Sequence, residues 1–304
     1  MATVEKRRAP AAGGGLREAL LLDLPVTERR LEVAGIETAL LEGGEGPPVV
    51  LLHGPGEFAA TWLRVIPQLA ETHRVVAPDL PGHGASGLSA GPLDAERALA
   101  WLGELIERTC DSPPALVGHL LGGSLAARFA ADNGNRVSRL VLVDGYGLAP
   151  LRPTPSFAFG LIGFMARPTE RSQRRLMHAC MNDLHTLRER MDGRLEELEA
   201  YALERARSPA MKKALRALMP QLGMRPIPAA DLERITVPTT LIWGRHDLQV
   251  RLRVAEAASA RHGWPLHVIE DAADDPAVEQ PEAFLDALEV ALAGFDDREQ
   301  RRTT

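Results

Sequence analysis

The stretch LVGHLLGG, residues 116–123, decides the fold of this chain. Its first half belongs to the apolar run PALVGH, which is typical of a strand buried on both faces, and the residues after Gly122 have the composition of a helix. A strand that passes directly into a helix needs a sharp turn, which the three glycines of this stretch allow. The residue at the tip of the turn is Leu120, whose side chain is a hydrocarbon.

The rest of the chain repeats this alternation of short strands and helices. Eight segments predict strands: RRLEV, IETALLE, PPVVLLHG, HRVVAPD, PALVGH, VSRLVLVD, TTLIWG and PLHVIED. The stretch LDAERALAWLGELIERTC predicts an amphipathic helix. Alternating strands and helices predict an α/β fold, with a mostly parallel, doubly wound sheet and helices on both faces.

One long segment interrupts this rhythm. Residues 147–228 are rich in Leu, Met and Arg and contain no convincing strand, and two of their stretches predict helices. We interpret this segment as a helical cap over the carboxyl edge of the sheet, where open α/β sheets bind ligands. The core domain then comprises residues 25–146 and 229–295. We expect residues 1–24 to form a flexible tail and residues 296–304 to be disordered.

Composition and charge exclude several classes of partner. Hydrophobic residues make up 45% and charged residues 25% of the 304 positions, which is ordinary for a globular protein. The formal net charge of −6 disfavours nucleic acids and anionic membranes, which both require a basic surface. No apolar run approaches the roughly 18 residues needed to cross a bilayer. The N-terminus lacks the apolar core of a signal peptide. We therefore expect no nucleic-acid and no membrane partner.

Cysteine usage favours the cytoplasm. Cys110 and Cys180 are too far apart to be a disulfide framework, so reduced thiols are expected. Arginine and alanine abound while lysine occurs only three times, a bias typical of high-GC bacterial genomes. Histidines and cysteines are scattered without the spacing of metal ligands, so we expect neither a metal nor a cofactor. No feature predicts an oligomeric state.

Six motifs in their order resemble those of the α/β-hydrolase superfamily, over residues 28–295. They follow the third to the eighth predicted strand: LLHGPG, APDLPGHGAS, VGHLLGG, LVLVDGYGL, LIWGRHD and EDAADDPAVEQPEAF. The resemblance implies an α/β-hydrolase fold with a helical cap. It also implies a catalytic triad, with a serine at the elbow tip, a histidine base and an acid that orients the histidine.

Two of the three triad positions carry the wrong residue type. Leu120 occupies the elbow tip, where it has no proton or lone pair with which to attack a carbonyl. Asp247 matches the acid. The histidine of the family stands in a stretch similar to AGHxPxxEQPE, which here reads AADDPAVEQPE, so Asp274 takes its place. The resemblance therefore identifies a divergent member that lacks the nucleophile and the base.

The same resemblance places the substrate pocket and the oxyanion region around six residues: Gly54, Pro55, Gly56, His119, Leu120 and Leu121. Pro55 has no N–H to donate, so Gly56 is the alternative first donor and Leu121 the second. A leucine at the elbow tip would add apolar surface to the pocket floor, which favours a hydrophobic small-molecule ligand.

Two carboxylates in one shielded site suggest acid/base chemistry. In this fold the triad acid and histidine touch, so Asp247 and Asp274 should meet, and the pKa of one should rise. A carboxylic acid that keeps its proton can donate it to a carbonyl or ether oxygen. Alternatively, Asp274 faces water or pairs with Arg245 or Arg251. Glu57, after the HGPG turn, is a further candidate acid or base, or a plain surface residue of the loop.

Other polar and apolar side chains have ordinary explanations. His53, His83 and His119 stand where this fold often has a hydrogen-bonded structural imidazole. Apolar cap residues are candidates either for pocket lining or for the cap's own core: Phe157, Phe159, Phe164, Met165 and Met181.

Three functions remain open. The first is a non-hydrolytic enzyme that performs an acid/base elimination, cyclisation or rearrangement on an apolar small molecule, an activity suited to bacterial secondary metabolism. The second is a pseudoenzyme that binds a ligand without turnover. The third is an esterase or C–C hydrolase whose triad is misassigned, although the nearest serine, Ser124, lies one turn into the helix. We favour the first because Asp247, the glycine turn and the cap are retained.

Overall fold

The computed structural model describes the backbone of residues 15–302 and the side chains of residues 15–293. The expectation of a flexible tail over residues 1–14 lies outside the described residues, as do residues 303 and 304. In the described part of the chain, no helix is both long enough and apolar enough to cross a membrane.

The described residues form a single eight-stranded sheet whose spatial order is β1-β2-β4-β3-β5-β6-β7-β8. The strands are β1 (Thr27–Val33), β2 (Ile36–Gly43), β3 (Pro48–Leu52), β4 (Arg74–Pro78), β5 (Ala115–His119), β6 (Arg139–Val143), β7 (Thr239–Gly244) and β8 (Leu266–Ile269). Strand β2 runs antiparallel to β1 and β4, and the remaining pairs are parallel. All eight predicted strands are present, and the predicted fold class is confirmed.

Helices pack on both faces of the sheet. They are α1 (Leu16–Leu21), α2 (Ile66–Leu69), α3 (Ala95–Thr109), α4 (Leu120–Asp132), α5 (Pro155–Ala166), α6 (Glu170–Cys180), α7 (Leu184–Met191), α8 (Arg194–Arg207), α9 (Pro209–Leu218), α10 (Ala229–Glu233), α11 (Arg253–His262), α12 (Pro276–Glu279) and α13 (Pro281–Arg302). One buried apolar layer includes Trp101 of α3 and Phe129 of α4. The other includes Trp62 and Phe284, the latter on α13. The central strands β3 and β5 are buried along their whole length, which explains their continuous apolar sequence.

The turn from β5 into α4 depends on its glycines. A Cβ atom on Gly118 would lie 2.6 Å from backbone atoms of the following turn, and one on Gly122 would lie 2.4 Å from the carbonyl oxygen of Leu52 in β3. Real Cβ atoms do not approach backbone so closely. The glycines thus allow α4 to start immediately after β5 and to lie against β3, which brings Leu120 to the carboxyl edge of the sheet.

The described residues between β6 and β7 form helices and loops without a strand, as the sequence predicted. We refer to α5–α9 as the cap helices. They contact the core partly through α9 and the π-helical turn Met219–Gly223 that follows it, because Leu218 and Leu222 belong to the same buried cluster as Leu120. The assignment of residues 147–228 to a separate cap domain stays a prediction.

Two expectations about the chain ends are wrong. The predicted flexible tail reached residue 24, but residues 16–21 form α1, and Leu20 is fully buried against the core and the cap helices. Arg17 of this helix also pairs with the buried Asp79, with 2.9 Å between Nη1 and Oδ2. At the other end, α13 continues to Arg302, so the segment expected to be disordered from residue 296 is helical. At the N-terminal end, α1 finds apolar and charged partners that its own sequence does not reveal.

Candidate active site

The elbow tip carries a leucine in a strained conformation. Leu120 has a φ of +44°, in the left-handed region that non-glycine residues rarely adopt at a cost of about 1–3 kcal/mol. Its carbonyl accepts the N–H of Tyr146 at 3.0 Å, which helps to hold this geometry. Its side chain is 2% exposed. The fold therefore builds the strained turn of a nucleophile elbow, but presents a buried hydrocarbon there.

A serine and a cysteine lie near the elbow tip, but neither supplies the nucleophile that the Leu120 side chain lacks. Ser124, one turn into α4, donates its Oγ–H to the carbonyl of Leu222 at 2.7 Å and so ties α4 to the cap. Cys180, at the end of α6, accepts the N–H of Asp274 with its main-chain carbonyl at 3.2 Å. Burial, followed by the charge of Asp274, raises the pKa of the Cys180 thiol well above its ordinary value, so the thiol stays protonated. A protonated thiol is a poor nucleophile.

His119, next to the elbow tip, is a charged imidazolium. Its Nε2 donates to the main-chain carbonyl of Asp274 at 2.5 Å, and its Nδ1 donates to Glu57 Oε2 at 3.1 Å. Because the carbonyl and the carboxylate are both acceptors, both ring nitrogens must carry a proton. Burial alone would lower the pKa of His119, but the charge and hydrogen bond of Glu57 outweigh it and raise the pKa to about 10. His119 is therefore not available as a base.

The Glu57 carboxylate lies inside the HGPG loop. Its Oε2 accepts the N–H of Gly54 at 2.6 Å as well as the His119 proton. Burial acts to raise the pKa of Glu57, yet His119 and the loop donors lower it below its ordinary value. Pro55 has no N–H, and Gly56 turns the loop with a φ of +81°. Glu57 is thus held as an anion, an arrangement that suits the counter-ion of His119 better than a proton donor.

Three carboxyl groups meet at the carboxyl edge of the sheet, and we call Asp144, Asp247 and Asp274 the acid cluster. They follow β6, β7 and β8, and each is at most 6% exposed. Asp144 Oδ1 accepts the N–H of Gly244 at 3.0 Å, and Asp247 Oδ1 accepts the N–H of Gln249 at 2.6 Å. The second oxygens of Asp144 and Asp247 are buried and have no hydrogen-bond partner among residues 15–293.

Two buried carboxyl groups that influence each other cannot both ionise cheaply, so one of them tends to keep its proton. Burial raises the pKa of Asp247 to about 7. Burial and the charge of Asp247 raise the pKa of Asp144 well above its ordinary value. Asp144 is therefore the carboxyl group of this pair that retains its proton more readily.

Asp274 joins this cluster from the loop after β8. Its Oδ2 accepts the side-chain N–H of Gln249 at 3.0 Å, and the Tyr146 hydroxyl donates to Gln249 Oε1. Burial, followed by the charge of Asp247, raises the pKa of Asp274 well above its ordinary value. The alternative in which Asp274 faces water or pairs with Arg245 or Arg251 is wrong. Asp274 is 6% exposed, Arg245 binds Glu270, and Asp274 Oδ2 binds Gln249 rather than Arg251.

Asp247→Asn is expected to gain stability relative to the native chain as pH rises. Below about pH 4 Asp247 is protonated in the folded and the unfolded chain, so it contributes no pH dependence there. Between the ordinary 3.8 and the folded pKa of about 7, the unfolded state ionises more readily, so the native chain loses stability. An amide does not titrate. The unfolding free energy of the variant minus that of the native chain should rise by about 2 kcal/mol from about pH 5 to pH 7. Urea denaturation at both pH values measures this difference, and a constant difference would contradict it.

Sequence reasoning missed several members of this site. Asp144 follows directly after the buried strand β6, and its position at the shared carboxyl edge was the available signal. Asp275 directly follows Asp274 and Glu279 ends the short helix α12 that comes next, and burial raises their pKa values to about 7 and about 8. Tyr146 lies in the motif LVLVDGYGL, but nothing in that motif indicated a role for its side chain.

The other histidines fit their structural interpretation. His53 donates from Nδ1 to the carbonyl of Gly54 at 2.7 Å and accepts the N–H of Leu80 at Nε2, so it is neutral. Burial lowers the pKa of His53 to about 4 and that of His83 to about 3. Among residues 15–293, no group of three or more His, Cys, Asp or Glu side chains is arranged to hold a metal ion.

The apolar cap residues do not behave as one group. Phe157 is buried, but Phe159 is 79% exposed and Met165 is also exposed, so these two neither line a pocket nor fill the cap's core. Because α5 is apolar nearly all round, its sequence could not distinguish the covered face from the open one.

Comparison with known proteins agrees with this architecture. The model of the "Alpha/beta hydrolase family" matches residues 49–287. The 2-hydroxy-6-oxo-2,4-heptadienoate hydrolase of Pseudomonas putida is 29% identical, over 88% of this chain and 97% of its own length. The pimeloyl-[acyl-carrier protein] methyl ester esterase of Aeromonas hydrophila is 28% identical, over 81% of this chain and 95% of its own. The solved structure of 2-hydroxy-6-oxo-6-phenylhexa-2,4-dienoate hydrolase from a Rhodococcus species is 26% identical, covers 88% of this chain and 99% of its own, and superposes with a TM-score of 0.76.

The chain belongs to the α/β-hydrolase family. Several of its relatives are named as hydrolases of 2-hydroxy-6-oxo-dienoic acids or of 2-hydroxymuconate semialdehyde, and one is named as a methyl ester esterase.

Proposed function

We propose that this protein is a cytoplasmic bacterial enzyme that uses the α/β-hydrolase scaffold for acid/base chemistry on a small molecule with apolar surface, without a covalent acyl intermediate. The reaction class is an elimination, cyclisation or rearrangement. The observation that carries the proposal is the set of side chains found at the carboxyl edge of the sheet. A leucine stands at the elbow tip, while three buried carboxyl groups converge beside the neighbouring His119.

The carboxyl groups of the acid cluster differ in protonation at neutral pH. Asp274 keeps its proton at neutral pH, because burial and the charge of Asp247 oppose ionisation, and it can deliver that proton to a carbonyl or ether oxygen. Asp247, with a pKa of about 7, is in part ionised and can accept a proton from the same substrate. One proton leaves the cluster and one returns, so the cluster ends each cycle as it began. In this proposal Asp144 positions Asp247, and Glu57 keeps His119 charged.

A ligand-binding protein without turnover is the second candidate. It is favoured by the closure of the elbow, because Leu120 is buried together with Leu218 and Leu222 of the cap region. The third candidate, an esterase or C–C hydrolase, is favoured by the names of the relatives. It would require a nucleophile other than Ser124, whose hydroxyl is engaged, and Cys180, whose thiol stays protonated.

Asp274→Asn is expected to abolish turnover while ligand binding persists. The amide keeps the shape of the side chain and can still contact Gln249, but it has no proton to donate, so a loss of at least ~10²-fold is expected. The native chain and the variant are incubated with a bacterial metabolite extract and the products followed by mass spectrometry. The native chain should convert a compound to an isomer or to its dehydrated product, and the variant should not.

Two results would contradict this proposal. Equal conversion by native chain and variant removes the role of Asp274. Labelling of the native chain by a fluorophosphonate probe, together with hydrolysis of p-nitrophenyl acetate, would instead establish the esterase alternative.

A further inference from the structure

A cleft of about 240 Å³ opens beside the acid cluster, between the loop after β6, the loop after β7 and the cap turn at Gly223. Three arginines line it: Arg152, Arg251 and Arg253. No aspartate or glutamate is among its lining residues. This cleft therefore concentrates positive charge on a chain whose formal net charge is −6.

These arginines differ from several others on the surface that are paired within the chain. Arg188, Arg234 and Arg245 each bind a carboxylate of this chain. The three cleft arginines have no ion-pair or side-chain hydrogen-bond partner among residues 15–293. Guanidinium groups bind carboxylates and phosphates through parallel N–H donors, so unpaired arginines around one concavity are equipped to hold an anion from solution.

The cleft is connected to the acid cluster through hydrogen bonds. Tyr146 and Gln249 both line the cleft, and Gln249 donates to Asp274 Oδ2 at 3.0 Å. An anion in this position would be repelled by ionised carboxylates. Burial raises the pKa values of Asp144 and Asp274 well above their ordinary value, which favours the neutral form of both and leaves Asp247 as the partly ionised member of the acid cluster. The arginines of the cleft and the buried acids behind it can therefore act on the same bound molecule.

We propose that this arginine cleft, formed by Arg152, Arg251 and Arg253 with Tyr146 and Gln249, binds the carboxylate of an organic acid. The inference deepens the proposed function, because that organic acid is then the substrate class: an apolar body with one carboxylate, whose reactive part points toward the acid cluster. The leucine at the elbow tip suggested only that the ligand is apolar. The arginine cleft adds a carboxylate to that description.

The test compares two probes of equal shape, 3-phenylpropionate and 3-phenylpropionamide, in isothermal titration calorimetry with the full chain. The native chain should bind the carboxylate at least ~10-fold more tightly than the amide, which corresponds to one charge-assisted hydrogen bond. Combined Arg152→Gln, Arg251→Gln and Arg253→Gln should remove this preference. Combined Arg171→Gln, Arg174→Gln and Arg175→Gln, on the exposed face of α6, changes the net charge equally and should retain it.

Three outcomes would overturn the inference. They are equal binding of the two probes by the native chain, an equal loss in both triple variants, and stronger competition by inorganic phosphate than by the carboxylate. Thermal unfolding of both variants verifies that they fold, as expected for exposed positions. Binding is measured here without turnover. If the Asp274→Asn variant still prefers 3-phenylpropionate, the assignment of the cleft is supported even if the proposed reaction is absent.

Discussion

Leu120→Ser combined with Asp274→His is expected to create an esterase. The first change puts a hydroxyl at the strained elbow tip, and the second puts an imidazole where the family's sequence frame places the base. Asp247 Oδ2, which has no hydrogen-bond partner among residues 15–293, can accept a proton from that imidazole. The contact between His119 and position 274 uses the main-chain carbonyl, so the substitution leaves it intact.

A positioned base contributes ~10²- to 10⁴-fold to such reactions, so the double variant should hydrolyse p-nitrophenyl acetate at least ~10²-fold faster than Leu120→Ser alone. It should also react with a fluorophosphonate probe, which the native chain should not. The matched control is Leu120→Ser with Asp274→Asn, which has the hydroxyl but no base. If the two double variants react equally fast, position 274 is not the base position and the triad frame is wrong.

Gly122→Ala is expected to destabilise the protein by more than about 3 kcal/mol, or to prevent folding, because it introduces a steric clash in the core. The added Cβ would lie 2.4 Å from the Leu52 carbonyl oxygen and 2.6 Å from its carbon. Both atoms belong to the central strand β3, which cannot retreat without breaking its pairing with β4 and β5. The measurement is the free energy of unfolding in urea, with soluble yield as the readout if no folded protein is recovered.

Gly163→Ala is the control for this second prediction. Gly163 also lies in a helix, α5, but an added Cβ there meets nothing within 4 Å. Alanine is the better helix former by about 1 kcal/mol, so this variant should be slightly more stable than the native chain. A small effect at Gly122, similar in size to that at Gly163, would show that α4 does not need its close approach to β3.

The acid cluster shows how much of the site could be predicted from the sequence. Alignment of the family's motif placed Asp247 and Asp274 as neighbours, and the structure places them within one buried cluster. The same reasoning treated His119 as a structural imidazole and Glu57 as a candidate acid or base, although the two form an ion pair. The sequence identified the residue types of the site, but it did not reveal their protonation states.

The sequence by itself determined the order of strands and helices, the elbow and the hydrocarbon at its tip. These features depend on residue spacing along the chain, on glycines at fixed offsets and on the chemistry of one side chain. Only the tertiary structure decided that Asp144 joins Asp247 and Asp274 at one buried edge, that His119 pairs with Glu57, and that three arginines without a partner among residues 15–293 surround one cleft. A protonation state or an ion pair depends on burial and on groups a few ångströms away, and here those groups come from segments far apart in the chain.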